Sequence, residues 1–339
     1  MIHHTHQTMT HRDVVSSHKT ASGETSTGGI DWSKPPDIDA YLDKENTQYL
    51  LEKRTSPQKW IWKLRMMNSA GFVYFSVYSL SSLIVGHFFT LPYLYGYDKD
   101  VLRNRKILAV YIFIMLVTNY ILIVVRSKRS RFGIFSQMLP SANQAHWTKC
   151  PNCDILVPPR AKHCVLCDVC VLKRDHHCFF AGCCIGFHNQ RYFIVFCLYG
   201  CLGAMYSLYV TYCFLEIHYI PLFSLDFYGY LMPWLLWRWY LGVIHHSVIW
   251  LALLLYLSLT TLIACGYFLT WQLVLLCTGQ TTYEFLKRNK TFKQPLTENL
   301  KSIFGKWSLI NFIIPLPWIR NEGDGRKWKT RCSLDEKHF

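Results

Sequence analysis

Four stretches of this chain carry no Asp, Glu, Lys or Arg, and each is long enough to cross a bilayer. No such charge occurs between Arg65 and Asp98, from Ile107 to Val125, or from Tyr192 to Leu215. The last uncharged run reaches from Trp239 to Tyr283, with its most apolar part at roughly Ser247 to Cys277. A hydrocarbon core about 30 Å thick needs roughly 20 apolar residues per helix. Buried helices of a soluble protein usually keep a polar face, and these windows have none. Four transmembrane helices are therefore expected.

Lys and Arg near the spans set the expected orientation. Lys53, Arg54, Lys59, Lys63 and Arg65 precede the first helix; Arg126, Lys128, Arg129 and Arg131 follow the second; Lys287, Arg288, Lys290 and Lys293 follow the fourth. These flanks place both termini and the segment between helices 2 and 3 in the cytosol. Lys99, Arg103, Arg105 and Lys106 disagree, falling where this scheme puts the outside. The residues from about Glu216 to His246, rich in Trp and Tyr, read as an outer loop lying along the interface, since Phe227 to Trp237 is too short to span. Met1 to about Asp37, rich in His, Ser and Thr without an apolar core, reads as a disordered tail rather than a signal peptide. The net charge of +15 does not require nucleic acid, because its basic residues flank membrane spans, where anionic lipid accounts for them.

Between the second and third spans lies a dense Cys/His cluster. Cys150 to Cys184 holds eight of the fourteen cysteines. Reduced cytosolic thiols at this density indicate metal rather than disulfides. Two closed tetrahedral zinc sites need eight ligands. Cys150, Cys153, His163, Cys164, Cys167, Cys170, His177 and Cys184 supply them. Neighbouring side chains of an extended chain point to opposite sides, so His163 and Cys164 are expected on different ions, in interleaved sites. Cys178 and Cys183 are then left over, with Asp175 and His176. In an extended chain His176 and Cys178 share one face and His177 turns the other way. A thiol beside an imidazole, with a carboxylate to fix the tautomer, is an activated-nucleophile arrangement. One larger zinc knot with spare cysteines is the alternative at this stage.

The motifs together resemble the DHHC family of protein S-acyltransferases, which palmitoylate cysteines. The resemblance rests on Cys150-Pro151-Asn152-Cys153, Pro158-Pro159-Arg160, the H-C-x-x-C-x-x-C run from His163 to Cys170, and Asp175-His176-His177-Cys178. It continues through Cys184-Ile185-Gly186 and Asn189 to Phe193, then Thr281-Thr282-Tyr283-Glu284 and Asn299. Phe180 departs from the family's usual Trp, and the family's D-P-G is missing around Leu139 to Asn143.

The resemblance implies an all-α integral membrane protein. Its four transmembrane helices would carry a cytosolic two-zinc cysteine-rich domain of short β-hairpins between helices 2 and 3. The expected divisions are a tail at 1–65, helices 1 and 2 at 66–125, the zinc domain at 126–191, helices 3 and 4 at 192–277, and a cytosolic C-terminal region at 278–339. It assigns one structural Zn2+ to Cys150, Cys153, His163 and Cys170, and the other to Cys164, Cys167, His177 and Cys184. Cys178 becomes the nucleophile, His176 its base and Asp175 the orienting partner, with Thr281, Thr282 and Asn299 supporting the site. The implied reaction moves a palmitoyl group from palmitoyl-CoA, through acyl-Cys178, to cysteines of membrane-associated proteins. Arg160, Lys162, Lys173, Arg174 and Arg191 are candidates for the CoA phosphates. The rival readings are a catalytically inactive membrane-anchored zinc scaffold and a zinc-dependent nucleic-acid or ubiquitin-ligase module. The second lacks a recognisable recognition helix.

Overall fold

The computed structural model describes residues 57–133, 146–305 and 310–329. The expected tail up to residue 56 and the linker around Leu139 to Asn143 lie outside the described residues. Among the described residues, four helical spans are long and apolar enough to cross a membrane: Trp62–Tyr95, Lys99–Ser130, Gln190–His218 and His246–Thr278. The chain is a multi-pass membrane protein of the expected class.

The first span is built of α1 (Pro57–Val85), a π-helical turn (Gly86–Thr90) and α2 (Leu91–Tyr95). Pro92 has no amide hydrogen to give Phe88, and the ladder widens just before it, the Leu91 amide reaching back to the Gly86 carbonyl. Only Gly96 to Asp98 separates this span from α3 (Lys99–Ser130), where the Asp98 carboxylate caps the helix by accepting from the Asp100 and Val101 amides at 3.0 and 3.1 Å. The discordant basic residues therefore sit on the first turns of α3 and not in a loop. Arg103 pairs with Asp100 at 3.0 Å, and the Arg105 guanidinium lies 5.3 Å from the Tyr95 ring.

Among the described residues, seven short strands follow. They are β1 (Arg131–Phe132), β2 (Thr148–Lys149), β3 (Leu156–Val157), β4 (Lys162–Cys164), β5 (Val169–Val171), β6 (His176–Cys178) and β7 (Cys183–Ile185). All pairings are antiparallel: β5 lies between β1 and β4, while β2–β3 and β6–β7 are separate pairs. Phe132, Ile155, Val157, Leu172 and Phe187 form a small core around Cys150 and Cys170.

The last two spans are α4 (Gln190–His218) and α6 (His246–Thr278), joined by a segment holding α5 (Met232–Tyr240). At nine residues α5 is too short to cross. It exposes Trp234, Trp237 and Trp239, as expected of a loop along the interface. The helix α4 is central and packs on both α3 and α6. Gly200 permits the closest approach, since a Cβ there would lie 2.6 Å from the Cys265 sulfur. α6 ends at Gly279, whose φ of +69 is the left-handed conformation that closes helices. Two short helices complete the described fold, α7 (Thr282–Leu286) and α8 (Leu296–Phe304).

Candidate active site

The β6–β7 hairpin carries the Asp175-His176-His177-Cys178 motif, and its register decides what each side chain can do. His176 opposes Ile185, His177 opposes Cys184, and Cys178 opposes Cys183. Directly opposed residues share a face and successive residues alternate. His177 and Cys184 therefore face one side, and His176, Cys178 and Cys183 face the other.

The metal side is complete. Cys164, Cys167, His177 and Cys184 bring their donor atoms within 4.8 Å of one another, as do Cys150, Cys153, His163 and Cys170. Ligands at tetrahedral zinc, with bonds of 2.0–2.3 Å, stand about 3.3–3.8 Å apart. The sulfur of Cys167 is 3.7 Å from that of Cys184 and 3.3 Å from His177 Nδ1. Cys170 is 3.8 Å from Cys153, which is 3.2 Å from His163 Nδ1. Both donor sets fit zinc. The outer imidazole nitrogens are oriented as metal ligands require: His177 Nε2 donates to Asn68 Oδ1 at 3.4 Å, and His163 Nε2 lies 3.7 Å from the Asp168 carboxylate. In both C-x-x-C knuckles the Asp after the second cysteine has positive φ, +55 at Asp154 and +49 at Asp168. Asp tolerates this turn better than most residues.

On the other face, His176 Nδ1 donates to Asp175 Oδ2 at 2.9 Å. Its Nε2 is buried with no well-aligned partner, and Cys178 is close enough to influence the ring. Burial pushes the His176 imidazole down, but the Asp175 hydrogen bond and then Cys178 outweigh it, raising the ring to about 9. Burial likewise pushes the Asp175 carboxyl up, while His176 and the Thr282 amide hold it down at about 2. The imidazole lies edge-on to Phe193 at 5.2 Å and stacks over Phe268 at 6.4 Å. Burial pushes the Cys183 thiol up to about 12, only partly opposed by a Ser127 hydrogen bond.

The end of α6 locks this face in place. Gln272, fully buried, donates to Asp175 Oδ2 at 2.7 Å and accepts from Gln190 at 3.1 Å. The Thr282 amide donates to Asp175 Oδ1 at 2.7 Å, and the Thr282 hydroxyl accepts from Trp271 at 3.0 Å. Thr281 caps α7 in a reciprocal box with Glu284. Glu284 also takes two hydrogen bonds from Arg160, at 2.8 and 2.7 Å. Asn299 lies against Gly279, where a Cβ would come within 2.6 Å of its Oδ1. Asn189 ties the hairpin to α3, donating to the Ile123 and Cys184 carbonyls at 3.1 and 2.9 Å.

Spacing gave no sign of Gln272, Gln190 or the Arg160–Glu284 pair. A lone glutamine in an apolar span is a signal for Gln272, because intramembrane polar groups face the bundle interior. Nothing local marks the pair, whose partners are 124 residues apart. Removing its carboxylate leaves a guanidinium buried without its counter-charge, which typically costs about 3–5 kcal/mol. Glu284→Ala is thus expected to lower the thermal midpoint of the purified protein sharply, with Glu284→Gln in between. An unchanged midpoint in both would show that the Gly279 carbonyl, at 2.8 Å, and the Phe292 and Trp328 rings hold Arg160 without the carboxylate.

The five basic candidates for phosphate contact do not share one open surface. Arg160 is buried against Glu284, and Lys173 is buried 5.7 Å from the Trp328 ring. Burial and then Arg160 lower the Lys173 amine to about 7. Arg174 lies within hydrogen-bond reach of Cys184 and Cys164. Arg191, also buried, donates to the Tyr192 hydroxyl and the Ile319 carbonyl. Lys162 alone of the five is exposed, its amine 4.6 Å from the Tyr283 ring.

Beneath the hairpin, between α1, α3, α4 and α6, lies an apolar cavity. Phe180 closes its upper end, packing against Tyr74, Phe75 and Phe196 at 5.8–6.3 Å. The approach of α1 to this loop depends on Gly71, where a Cβ would lie 2.7 Å from Phe180 Cα. Deeper in the cavity, Tyr78 donates to Ser258 at 3.2 Å, and Ser258 lies 3.0 Å from Ser207.

Residues 143–289 match the family model for DHHC palmitoyltransferase. Palmitoyltransferase ZDHHC22 of Mus musculus is 31% identical over 86 residues, which are 25% of this chain and 33% of that protein. The Homo sapiens protein of the same name is 30% identical over the same shares. The matched segment thus spans about a third of the length of these relatives.

Proposed function

We infer, for a chain that belongs to the DHHC palmitoyltransferase family, a protein S-acyltransferase that forms a thioester on Cys178 and passes the acyl group to cysteines of other proteins. The observation that carries this is the hairpin register, which turns His177 and Cys184 to a zinc site and Cys178 with His176 away from it. A scaffold without chemistry has no need to keep a thiol and an Asp-oriented imidazole on the face opposite its metal.

Asp175 holds His176 Nδ1 protonated, so Nε2 is the nitrogen that takes the Cys178 proton. The thiolate attacks the thioester carbonyl of palmitoyl-CoA, the carbon–sulfur bond to CoA breaks, and CoA leaves as its thiol. A substrate cysteine then attacks acyl-Cys178 and restores the free thiol. Gln272 and the Thr282 amide position Asp175 from the membrane side. Lys162, open to solvent, is the candidate for a CoA phosphate. The two zinc sites hold the hairpin; no step passes through them. The basic flanks support a cytosolic face for this site.

The cavity under Phe180 supports an acyl chain as the transferred group, since each buried CH2 contributes about 0.8 kcal/mol. The experiment that tests the reading is the intact mass of the purified protein after palmitoyl-CoA. One palmitoyl group released by hydroxylamine is expected, and no added mass would refute it. The Tyr78–Ser258 contact crosses the cavity part-way down, its lining continuing along the first span to Leu91. Tyr78→Ala is therefore expected to shift preference, measured by competition among acyl-CoAs, toward chains longer than palmitoyl. An unaltered preference would place the chain elsewhere.

A further inference from the structure

Cys183 stands directly across the hairpin from Cys178, and the mechanism above gives it nothing to do. It is outside both zinc clusters, to which the hairpin gives only His177 and its neighbour Cys184. Cys178 and Cys183 are register partners, both buried, in one apolar cluster with Tyr120 and Phe196. Opposed residues of an antiparallel pair share a face with Cβ atoms about 4.5–5.5 Å apart. A disulfide needs Cβ atoms about 3.5–4.5 Å apart and Cα atoms about 4.4–6.8 Å apart. The two ranges meet near ~4.5 Å, so a movement of about 2 Å or less brings such a pair to bonding distance. The loop that joins the strands has room for such a movement: Gly182 is left-handed at φ +62, and a Cβ placed there would meet only the Asn68 side chain, at 3.7 Å.

We propose that Cys183 is the resolving thiol of Cys178, making this hairpin a reversible oxidation site for hydroperoxides. In the first step the Cys178 sulfur takes one oxygen from the hydroperoxide. The O–O bond breaks, the peroxide is reduced to an alcohol or water, and Cys178 becomes a sulfenic acid. In the second step the Cys183 sulfur attacks the Cys178 sulfur, the S–O bond breaks, and the Cys183 proton leaves with the hydroxide as water. The product is a Cys178–Cys183 disulfide, which a reducing thiol reopens by exchange. The disulfide closes Cys178 to acylation and keeps it from irreversible oxidation. Only this consequence for activity rests on the acyltransferase reading; the bond itself does not.

The test treats the purified full-length protein with hydrogen peroxide, then blocks free thiols. Tryptic cleavage after Arg174 and Arg191 releases one peptide with Cys178, Cys183 and Cys184. The expected peptide has lost two hydrogens, with Cys178 and Cys183 linked and Cys184 free. Palmitoyl-CoA labelling falls with the appearance of the link and returns fully with a reducing thiol, and zinc content stays constant. Cys183→Ser keeps the starting labelling, but after peroxide its Cys178 gains two oxygens and labelling stays lost. Cys183→Ala gives the same readout should a hydroxyl disturb the apolar cluster. A Cys178–Cys184 link with loss of zinc, or the same doubly oxidised Cys178 in parent and variants, would overturn the proposal. If untreated protein takes no palmitoyl group, the acyltransferase reading fails, while the peptide masses still decide the disulfide.

Discussion

Cys178→Ser is expected to remove all hydroxylamine-sensitive labelling by palmitoyl-CoA while two zinc ions per chain remain. The two halves of this result come from the two faces of one hairpin. Cys178 points away from both donor sets, so its sulfur can be lost without opening a metal site. A serine hydroxyl in its place is a far weaker nucleophile at neutral pH than a cysteine thiolate. His176→Ala and Asp175→Asn are expected to slow labelling by about 10²–10⁴-fold rather than abolish it, the range for general acid–base groups. Full labelling of Cys178→Ser would transfer the nucleophile's role to another thiol, with Cys183, its register partner, first to be examined. Loss of a zinc ion in the same variant would instead mean that Cys178 is a ligand, and the enzyme reading would fall with it.

Alternation along extended chain was enough to separate metal ligands from the free thiol. It put His163 and Cys164 on different sites and turned His177 away from Cys178, and the paired strands do the same. The register likewise sets Cys184, and not Cys183, opposite His177. The spans were legible from uncharged length. Their ends were not, since α3 continues through charged residues on both sides while its Asp98 cap sits before them. Composition suggested that five basic side chains were available to phosphate. Four of them are instead held by partners distant in sequence or by the zinc sulfurs, such as Arg160 by Glu284. Thr281 and Thr282 could be placed at the helix end by motif alone. Thr281 caps α7 through the local Thr281–Glu284 box, but what Thr282 does, giving its amide to Asp175, depends on a contact over 107 residues that no local pattern encodes.

Removal of zinc is expected to unfold the segment from β2 to β7, and with it the site, even though the four spans persist. The segment's own core is small: beyond the cysteines, Ile155, Val157, Ala161, Val171, Leu172, Ala181 and Ile185 are its buried apolar residues, with Phe132 and Phe187 from its flanks completing one cluster. Structural zinc in small domains supplies about 10–16 kcal/mol of apparent folding energy, more than such a core provides. The two sites should nevertheless fail differently. Cys184→Ser opens the site that anchors β6–β7, so it is expected to release about one zinc and abolish labelling, because the strand carrying Cys178 loses its metal tether. Cys153→Ser opens the other site, which ties β4 and β5 to the knuckle at Cys150, and should expose that segment to trypsin as well. Metal content, limited proteolysis and labelling on the same samples separate these outcomes. Retention of two zinc ions by Cys184→Ser, with loss of one in Cys183→Ser, would exchange the roles of the neighbouring cysteines, bring the Cys183 sulfur to the metal and remove the opposed thiol pair.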